Sequence, residues 1–334
     1  MTAKDSVDLS SLFPLPSQIP ELHRQPFLEQ REYLVDGELR SWSGALQQVI
    51  SPLSLREGSA VKPTVLGAYP LLGEQEALEA LGAAVRAWDN GRGQWPCMRV
   101  EERIGAVSRF TAAIKSKRTE VVRLLMWEIG KTYADACKEF DRTIEYVQAI
   151  LGAVKDLERA SSRFEIVDGI AAQIRRAPCG VTLCMGPFNY PLNETFTTLI
   201  PALVMVNPVL FKPAKYGVLL NRPLLEAFRD CFPRGVVNTL YGDGKVLIGP
   251  VMKSGKVDVL AFIGSAAVAN IIEKQHPTPN RLRSVLGLNA KNPAIILDDA
   301  DLASTIKECV LGSLSYNGQR CTALKILFVQ RGIA

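Results

Sequence analysis

Apolar residues recur at helical spacing from Glu74 to Ala160. The pattern predicts helices through EQEALEALGAAVRAWDNG, RVEERIGAVSRFTAAIKSKRTEVVRLLMWEIGKT and ACKEFDRTIEYVQAILGAVKDLERA. Two flanking stretches alternate apolar and polar positions instead. YLVDGELRSW (33–42) turns at Asp36-Gly37 and RFEIVDGIAAQIRRAP (163–178) at Asp168-Gly169, so each predicts a β-hairpin. From Gly180 the rhythm becomes strand and helix in turn. VTLCMG (181–186), VLFKP (209–213), VVNTLYG (236–242) and VDVLAFIG (257–264) are strands. NETFTTLIPALVMV (193–206, with a kink at Pro201), LLNRPLLEAFRDCF (219–232), a segment near 244–254 and AAVANIIEKQH (266–276) are helices. Repeated βα units with short turns imply a parallel sheet covered on both faces. The expected fold is α/β, a doubly wound parallel sheet with β-hairpin arms and with ligands at the carboxyl ends of its strands.

This pattern divides the chain. Residues 1–30, rich in Ser and Pro, are expected to form a tail or wrapping arm. Residues 31–286 are expected to form the doubly wound domain of dinucleotide type with its two hairpins. Residues 287–334 hold NPAIILDDADL, a helix near 302–316 and the strand ALKILFVQ (323–330). They resemble the opening of a further, incomplete α/β domain, whose last strand needs neighbours from later sequence.

Composition narrows the function. With 334 residues, 47% hydrophobic and 22% charged, disordered and collagen-like classes are excluded. The net charge of +5 is spread along the chain without a basic run, which argues against a nucleic-acid partner. His23 and His276 are the only histidines, so neither a multi-histidine metal site nor a histidine-based dyad is expected. Cysteines stand at 97, 137, 179, 184, 231, 309 and 321, an odd number without a CxxC pair. That usage predicts free thiols in a reducing compartment. No stretch approaches the roughly eighteen apolar residues of a membrane span. The expectation is a soluble cytoplasmic protein with no membrane partner.

Among the thiols, Cys321 in NGQRCTA stands apart, because it follows an amphipathic helix in a polar turn beside Arg320. An adjacent cation favours the nucleophilic thiolate, although most free cysteines are small buried hydrophobes. Cys184 lies inside an apolar strand and belongs to the core. MGPFNYPLNE (185–194) follows the first parallel strand. There Asn189 is either an amide donor to a developing oxyanion or an ordinary turn asparagine. Lys212 and Lys215 close the next strand, as surface charges or as ligand contacts. Gly264 and Ser265 end a later strand and open a helix, as a plain N-cap or a phosphate seat. Neither GxGxxG nor GxxxxGK[ST] occurs.

Taken together and in order, these segments resemble the aldehyde dehydrogenase superfamily. GPFNYP is similar to its P-[WF]-N-[FY]-P motif, and ALVMVNPVLFKPAK to the strand and lysine that hold the adenosine ribose. FIGSAAVA is similar to F-T-G-S-T-x-x-G, VLGLNAKNPAIILDDADL to L-E-L-G-G-K-x-P, and NGQRCTA to the G-Q-x-C loop. GRGQWP, ERI and MWEIGKT agree upstream. PFNYPLN, the QRC tripeptide and DRT (141–143) resemble the NADP-dependent non-phosphorylating glyceraldehyde-3-phosphate dehydrogenases within that superfamily. The resemblance implies that Cys321 attacks an aldehyde to give a thiohemiacetal and then a thioester. It implies that the Asn189 amide and the Cys321 backbone N–H hold the oxyanion. Lys212 would bind the adenosine ribose, and Ser265 with Gly264 the pyrophosphate. Arg142, Tyr190 and Arg320 would line the aldehyde pocket and meet a substrate phosphate. A full-length form would be a homo-oligomer.

Departures from the pattern bear on the reaction. Gly287 stands where the family has its general-base glutamate, with Asn289 and Ala290 in place of two glycines. Neither glycine nor asparagine can act as that base. Lys215 replaces the glutamate of K-P-S-E, and a cation there favours the 2′-phosphate, so NADP is expected over NAD. Ile263, Ala266 and Ala269 also break the F-T-G-S-T-x-x-G pattern. The chain ends thirteen residues after Cys321. The family continues there with most of its catalytic domain and the E-x-F-G-P glutamate that holds the nicotinamide ribose. Two alternatives to an NADP-dependent aldehyde dehydrogenase follow: a catalytically dead amino-terminal fragment or pseudoenzyme, and an enzyme that passes its thioester to coenzyme A.

Overall fold

Asp36 and Gly37 take φ angles of 52° and 74°, the left-handed pair that a two-residue hairpin turn requires. The computed structural model describes residues 12–334. Within it β1 (Leu28–Glu29) is followed by the hairpin of β2 (Glu32–Val35) and β3 (Glu38–Ser41) around that turn. A longer hairpin, β4 (Leu46–Glu57) with β5 (Ala60–Pro70), takes β1 in parallel along β5. This long hairpin has no counterpart among the elements expected from the sequence. Of the segment expected to be a tail or arm, residues 1–11 lie outside the described residues. Residues 12–30 are tied down: the Arg56 N–H donates to the Pro14 carbonyl at 3.0 Å, and Trp127 Nε1 to the His23 carbonyl at 2.6 Å.

The helical stretch resolves into α1 (Glu74–Trp88), α2 (Val100–Lys115), α3 (Arg118–Ile129) and α4 (Tyr133–Ser161). α1 buries Ala77, Ala80, Leu81 and Ala84 along one stripe, as an amphipathic helix must. α3 is covered nearly all round and ends at Gly130, whose φ of 71° supplies the left-handed cap. Thr132 then caps α4 by accepting from the Asp135 N–H at 3.1 Å. β6 (Glu165–Val167) and β7 (Ile170–Ala172) pair about Asp168-Gly169, and all six of their residues are exposed.

The alternating part begins with β8 (Thr182–Met185), α5 (Asn193–Val204) and β9 (Val209–Lys212). It continues through α6 (Leu225–Cys231), β10 (Val237–Thr239), α7 (Gly244–Lys253), β11 (Val259–Gly264), α8 (Ala266–Lys274) and β12 (Arg283–Leu288). The five strands form one parallel sheet in the order β10-β9-β8-β11-β12. β9 and β10 are buried at every position, because helices cover both faces. α2, α5 and α6 meet around Phe110, Phe196, Phe228 and Phe232 on one side. α1, α7 and α8 pack together on the other. The first strand of this sheet in chain order, β8, lies in its middle, and the strand order reverses between β8 and β11. In such sheets the crevice at the carboxyl ends of those two strands is where ligands bind.

Two expected boundaries move. The helix over 219–232 opens as a 3-10 turn, Leu219–Leu224, and becomes α6 only at Leu225, because Pro223 has no N–H to give an α-helical ladder. The last sheet strand runs past residue 286, since β12 pairs with β11 as far as Leu288. Beyond it, β13 (Asn292–Ile296), α9 (Leu302–Leu314) and β14 (Leu324–Val329) form a βαβ unit. Its two strands pair in parallel as a separate sheet, and α9 buries no residue.

Candidate active site

Gly186 directly follows β8, and a Cβ there would overlap Thr195 Oγ1 in the first turn of α5. Only glycine lets the strand end close onto that helix, and the loop between them carries Asn189 and Tyr190. A second loop, Ser315 to Thr322, joins α9 to β14 and carries Arg320 and Cys321. Asn189 Nδ2 donates to the Gln319 carbonyl at 2.8 Å, which brings the two loops together. Asn292, the first residue of β13, donates from Nδ2 to the Cys321 carbonyl at 2.5 Å and to the Ala323 carbonyl at 3.1 Å. The thiol of Cys321 is exposed, whereas Cys184 is buried and burial pushes its thiol up to about 12. Cys97 is exposed as well, and its thiol donates to the Gly91 carbonyl at 3.5 Å.

The other residues expected at the substrate end divide. The Tyr190 ring meets the Tyr316 ring edge-on at 6.0 Å, and burial raises its hydroxyl above the usual phenol range, opposed by the Arg320 charge. Arg320 is half-buried and braces its own loop, donating to Ser315 Oγ at 2.5 Å and Thr322 Oγ1 at 3.4 Å. Arg142 is exposed on α4 and has no side-chain partner among the described residues. Its neighbour Thr143 makes the contact instead, donating to Asn193 Oδ1 at 3.3 Å.

Lys212 ends β9 buried, and burial lowers its ammonium to about 8 against the attraction of Asp243. Its described hydrogen bond is to the carbonyl of Pro213 at 3.2 Å, which leaves donor capacity for an oxygen-rich ligand. Lys215 is exposed and lines a cleft with Gln47, Gln48, Tyr69 and Tyr216, its Nζ 5.7 Å from the Tyr216 ring centre. Ser265 caps α8, accepting from the Val268 N–H at 3.3 Å, and Gly264 is pressed against the Phe262 ring. Asn289, from the end of β12, accepts from the Ala266 N–H at 3.1 Å. Lys212 and Ser265 therefore sit at the carboxyl ends of β9 and β11, beside the crevice where the strand order reverses.

Sequence reasoning missed the acids that anchor these loops. Glu128 of α3 is buried and accepts the N–H groups of Val218, at 2.5 Å, Leu219 and Leu220, just after the Lys215 loop. Glu139 of α4 accepts the N–H groups of Leu192 and Asn193, just after the Asn189 loop. Both lie in helical stretches where a charge signals a solvated face, so spacing alone gives no sign of them. Burial pushes the Glu128 carboxyl up to about 7. Its folded form holds a proton that the unfolded chain releases at lower pH, so stability falls as pH rises from about 4.5 to about 7. The loss reaches on the order of 3 kcal/mol. Glu128→Gln is expected to flatten this part of the slope, seen as urea midpoints at pH 5 and pH 8 that draw together. An unchanged difference between them would count against a protonatable Glu128.

The chain is similar to known proteins along most of its length. The Aldehyde dehydrogenase family pattern matches residues 55–334. An NADP-dependent glyceraldehyde-3-phosphate dehydrogenase of Streptococcus equinus is 32% identical over 279 residues, covering 80% of this chain and 56% of that protein. Malonate-semialdehyde dehydrogenase 2 of Shouchella clausii is 28% identical over 267 residues, covering 79% of this chain and 53% of that one. The crystal structure of the NADP-dependent glyceraldehyde-3-phosphate dehydrogenase of Bacillus halodurans C-125, complexed with NADP, superposes with a TM-score of 0.79 at 29% identity. It covers 92% of this chain and 62% of that one. The chain thus spans little more than half the length of the relatives it matches. With residues 55–334 of its 334 inside the family pattern, the chain belongs to the aldehyde dehydrogenase family.

Proposed function

We propose that this chain carries the amino-terminal part of an NADP-dependent aldehyde dehydrogenase acting on glyceraldehyde 3-phosphate through Cys321. The observation that carries the reading is the hydrogen bond from Asn189 Nδ2 to the Gln319 carbonyl. It sets the amide two residues from the candidate nucleophile in the chain. An asparagine amide has two N–H donors, so one remains for an oxyanion. The Cys321 thiolate adds to the aldehyde carbon, forming the C–S bond while the carbonyl oxygen takes the negative charge. Asn189 and the Cys321 backbone N–H would hold that charge, and a single such donor is worth about 10²–10³ in rate. Lys212 would hold the adenosine ribose and Ser265 the diphosphate. Bound NADP would supply the acceptor for the hydride that leaves the thiohemiacetal carbon. A thioester on Cys321 remains, and water or a thiol then cleaves it.

Gly287 places no carboxylate where the family has its base, which favours a thiol such as coenzyme A as acceptor. The identities near 30% are shared by relatives named for glyceraldehyde 3-phosphate and for malonate semialdehyde. PFNYPLN and QRC support the former. The same Gly287 supports the second reading, a chain that keeps the fold without turnover.

The test is thiol reactivity. Iodoacetamide at neutral pH is expected to label Cys321 before the six other cysteines and Cys184 last, read by mass spectrometry of a time course. Modification of Cys309 or Cys184 ahead of Cys321 would reject the assignment of the nucleophile.

A further inference from the structure

Lys131 and Glu139 form an ion pair whose side chains are 1% and 0% exposed. No other pair among the described residues is so deeply covered. Such a pair is seldom worth more than a well-packed apolar one, since both charges lose their water. Its worth here is geometric. One Glu139 oxygen accepts from the backbone N–H groups of Leu192 at 3.1 Å and Asn193 at 3.2 Å, where the Asn189 loop enters α5. The other holds Lys131 Nζ. That ammonium faces the Tyr190 ring 3.4 Å from its centre and the Tyr316 ring 5.0 Å from its centre. Tyr190 adjoins Asn189, and Tyr316 lies near the start of the Cys321 loop, where its hydroxyl donates to the Ile129 carbonyl at 3.0 Å. One buried cation thus serves a ring from each loop.

We propose that Lys131 and Glu139 are positioning residues, which clamp the loop of Asn189 against the loop of Cys321 and so set the oxyanion donor over the nucleophile. The proposal rests on Cys321 as nucleophile, as argued above. Desolvated cation–π contacts are strong enough to hold a loop in place, and an ångström of misplacement can cost about a hundredfold in rate. Burial moves Lys131 below its usual range and Glu139 above it, each opposed by the partner's charge, as befits a pair held for geometry at some cost.

The test is the double variant Lys131→Met, Glu139→Gln in the 334-residue chain. It removes both charges, keeps their volume and leaves one acceptor for Leu192 and Asn193. Hydrogen exchange of amides 316–323 is expected to quicken by about tenfold. The iodoacetamide rate at Cys321 should shift several-fold with it, while exchange in β9 and β11 and NADP binding stay unchanged. Lys131→Arg, which keeps the cation, should hold exchange within about threefold of wild type. Exchange at 316–323 within twofold of wild type in the double variant would overturn the proposal. So would equal acceleration in β9 and β11, because the pair would then be holding the fold as a whole. Should the double variant fail to fold, Tyr316→Leu removes one ring and leaves the pair. Faster exchange at 316–323 then supports the clamp and unchanged exchange overturns it. A wild-type Cys321 no more reactive than the other thiols would reject the nucleophile while leaving the exchange result standing.

Discussion

Expressed alone, residues 1–334 are expected to self-associate and to give no steady turnover of glyceraldehyde 3-phosphate. The cause is the βαβ unit at the end of the chain. Among the described residues β13 and β14 pair only with each other, and α9 buries none of its residues. Ile295 is 72% exposed, Leu314 67%, Ile306 61% and Phe328 54%. Apolar side chains at such density mark a surface that other protein must cover, and patches above several hundred Å² drive association. The outer edges of β13 and β14 add unpaired backbone groups that template pairing with further chains. The Cys321 loop hangs between α9 and β14, two elements whose apolar side chains are largely uncovered. Without precise placement of thiol and amide, and with Gly287 in place of a base, at most a sub-stoichiometric burst of NADPH should appear. Light scattering and absorbance of the reduced cofactor check both parts. A monodisperse monomer with sustained multiple turnovers would show that the βαβ unit needs no cover and the site no further part.

Uninterrupted apolar runs such as VTLCMG and VLFKP made the parallel sheet legible, because a strand covered on both faces has no polar side to alternate. The hairpin turns were legible for a different reason: Asp-Gly is among the few pairs that accept left-handed φ cheaply. What escaped depends on contacts made across the chain. β4 and β5 are long strands, yet their pairing is broken at Val49/Ile50 and again before Ser54, and prolines interrupt both. Their alternation is accordingly blurred. Asn189 and Cys321 were legible as a motif, but the bond from Asn189 to Gln319 joins residues 130 apart. Glu128, Lys131 and Glu139 are the plainest failures. On a helix of this composition a glutamate ordinarily faces water, and its burial becomes tolerable through backbone donors arriving from far along the chain and, for Glu139, through the Lys131 ammonium.

Lys215→Glu is expected to reverse cofactor preference from NADP to NAD. Lys215 stands exposed three residues beyond Lys212, in a cleft lined by Gln47, Gln48, Tyr69 and Tyr216. NADP differs from NAD by a 2′-phosphate on the adenosine ribose, and Lys212 is the residue proposed to hold that ribose. A charge-assisted contact from ammonium to phosphate is worth about 1.5–3 kcal/mol, and exposure puts this one near the lower end, about tenfold in affinity. Glutamate removes that contact and opposes the phosphate with a like charge of similar size. It also restores a carboxylate able to accept from the free ribose hydroxyls of NAD. The ratio of dissociation constants should therefore swing by about a hundredfold. Lys215→Met, which removes the charge without reversing it, should give about half that swing in free energy. Fluorescence titration of each variant with NADPH and NADH measures the ratio directly, since the parallel sheet and both lysines lie within the described chain. The swing should shrink as ionic strength rises, as it must for an exposed charge. Equal affinities for the two cofactors in wild type and both variants would reduce Lys215 to a surface charge and shift the choice of nucleotide to the cleft's uncharged wall.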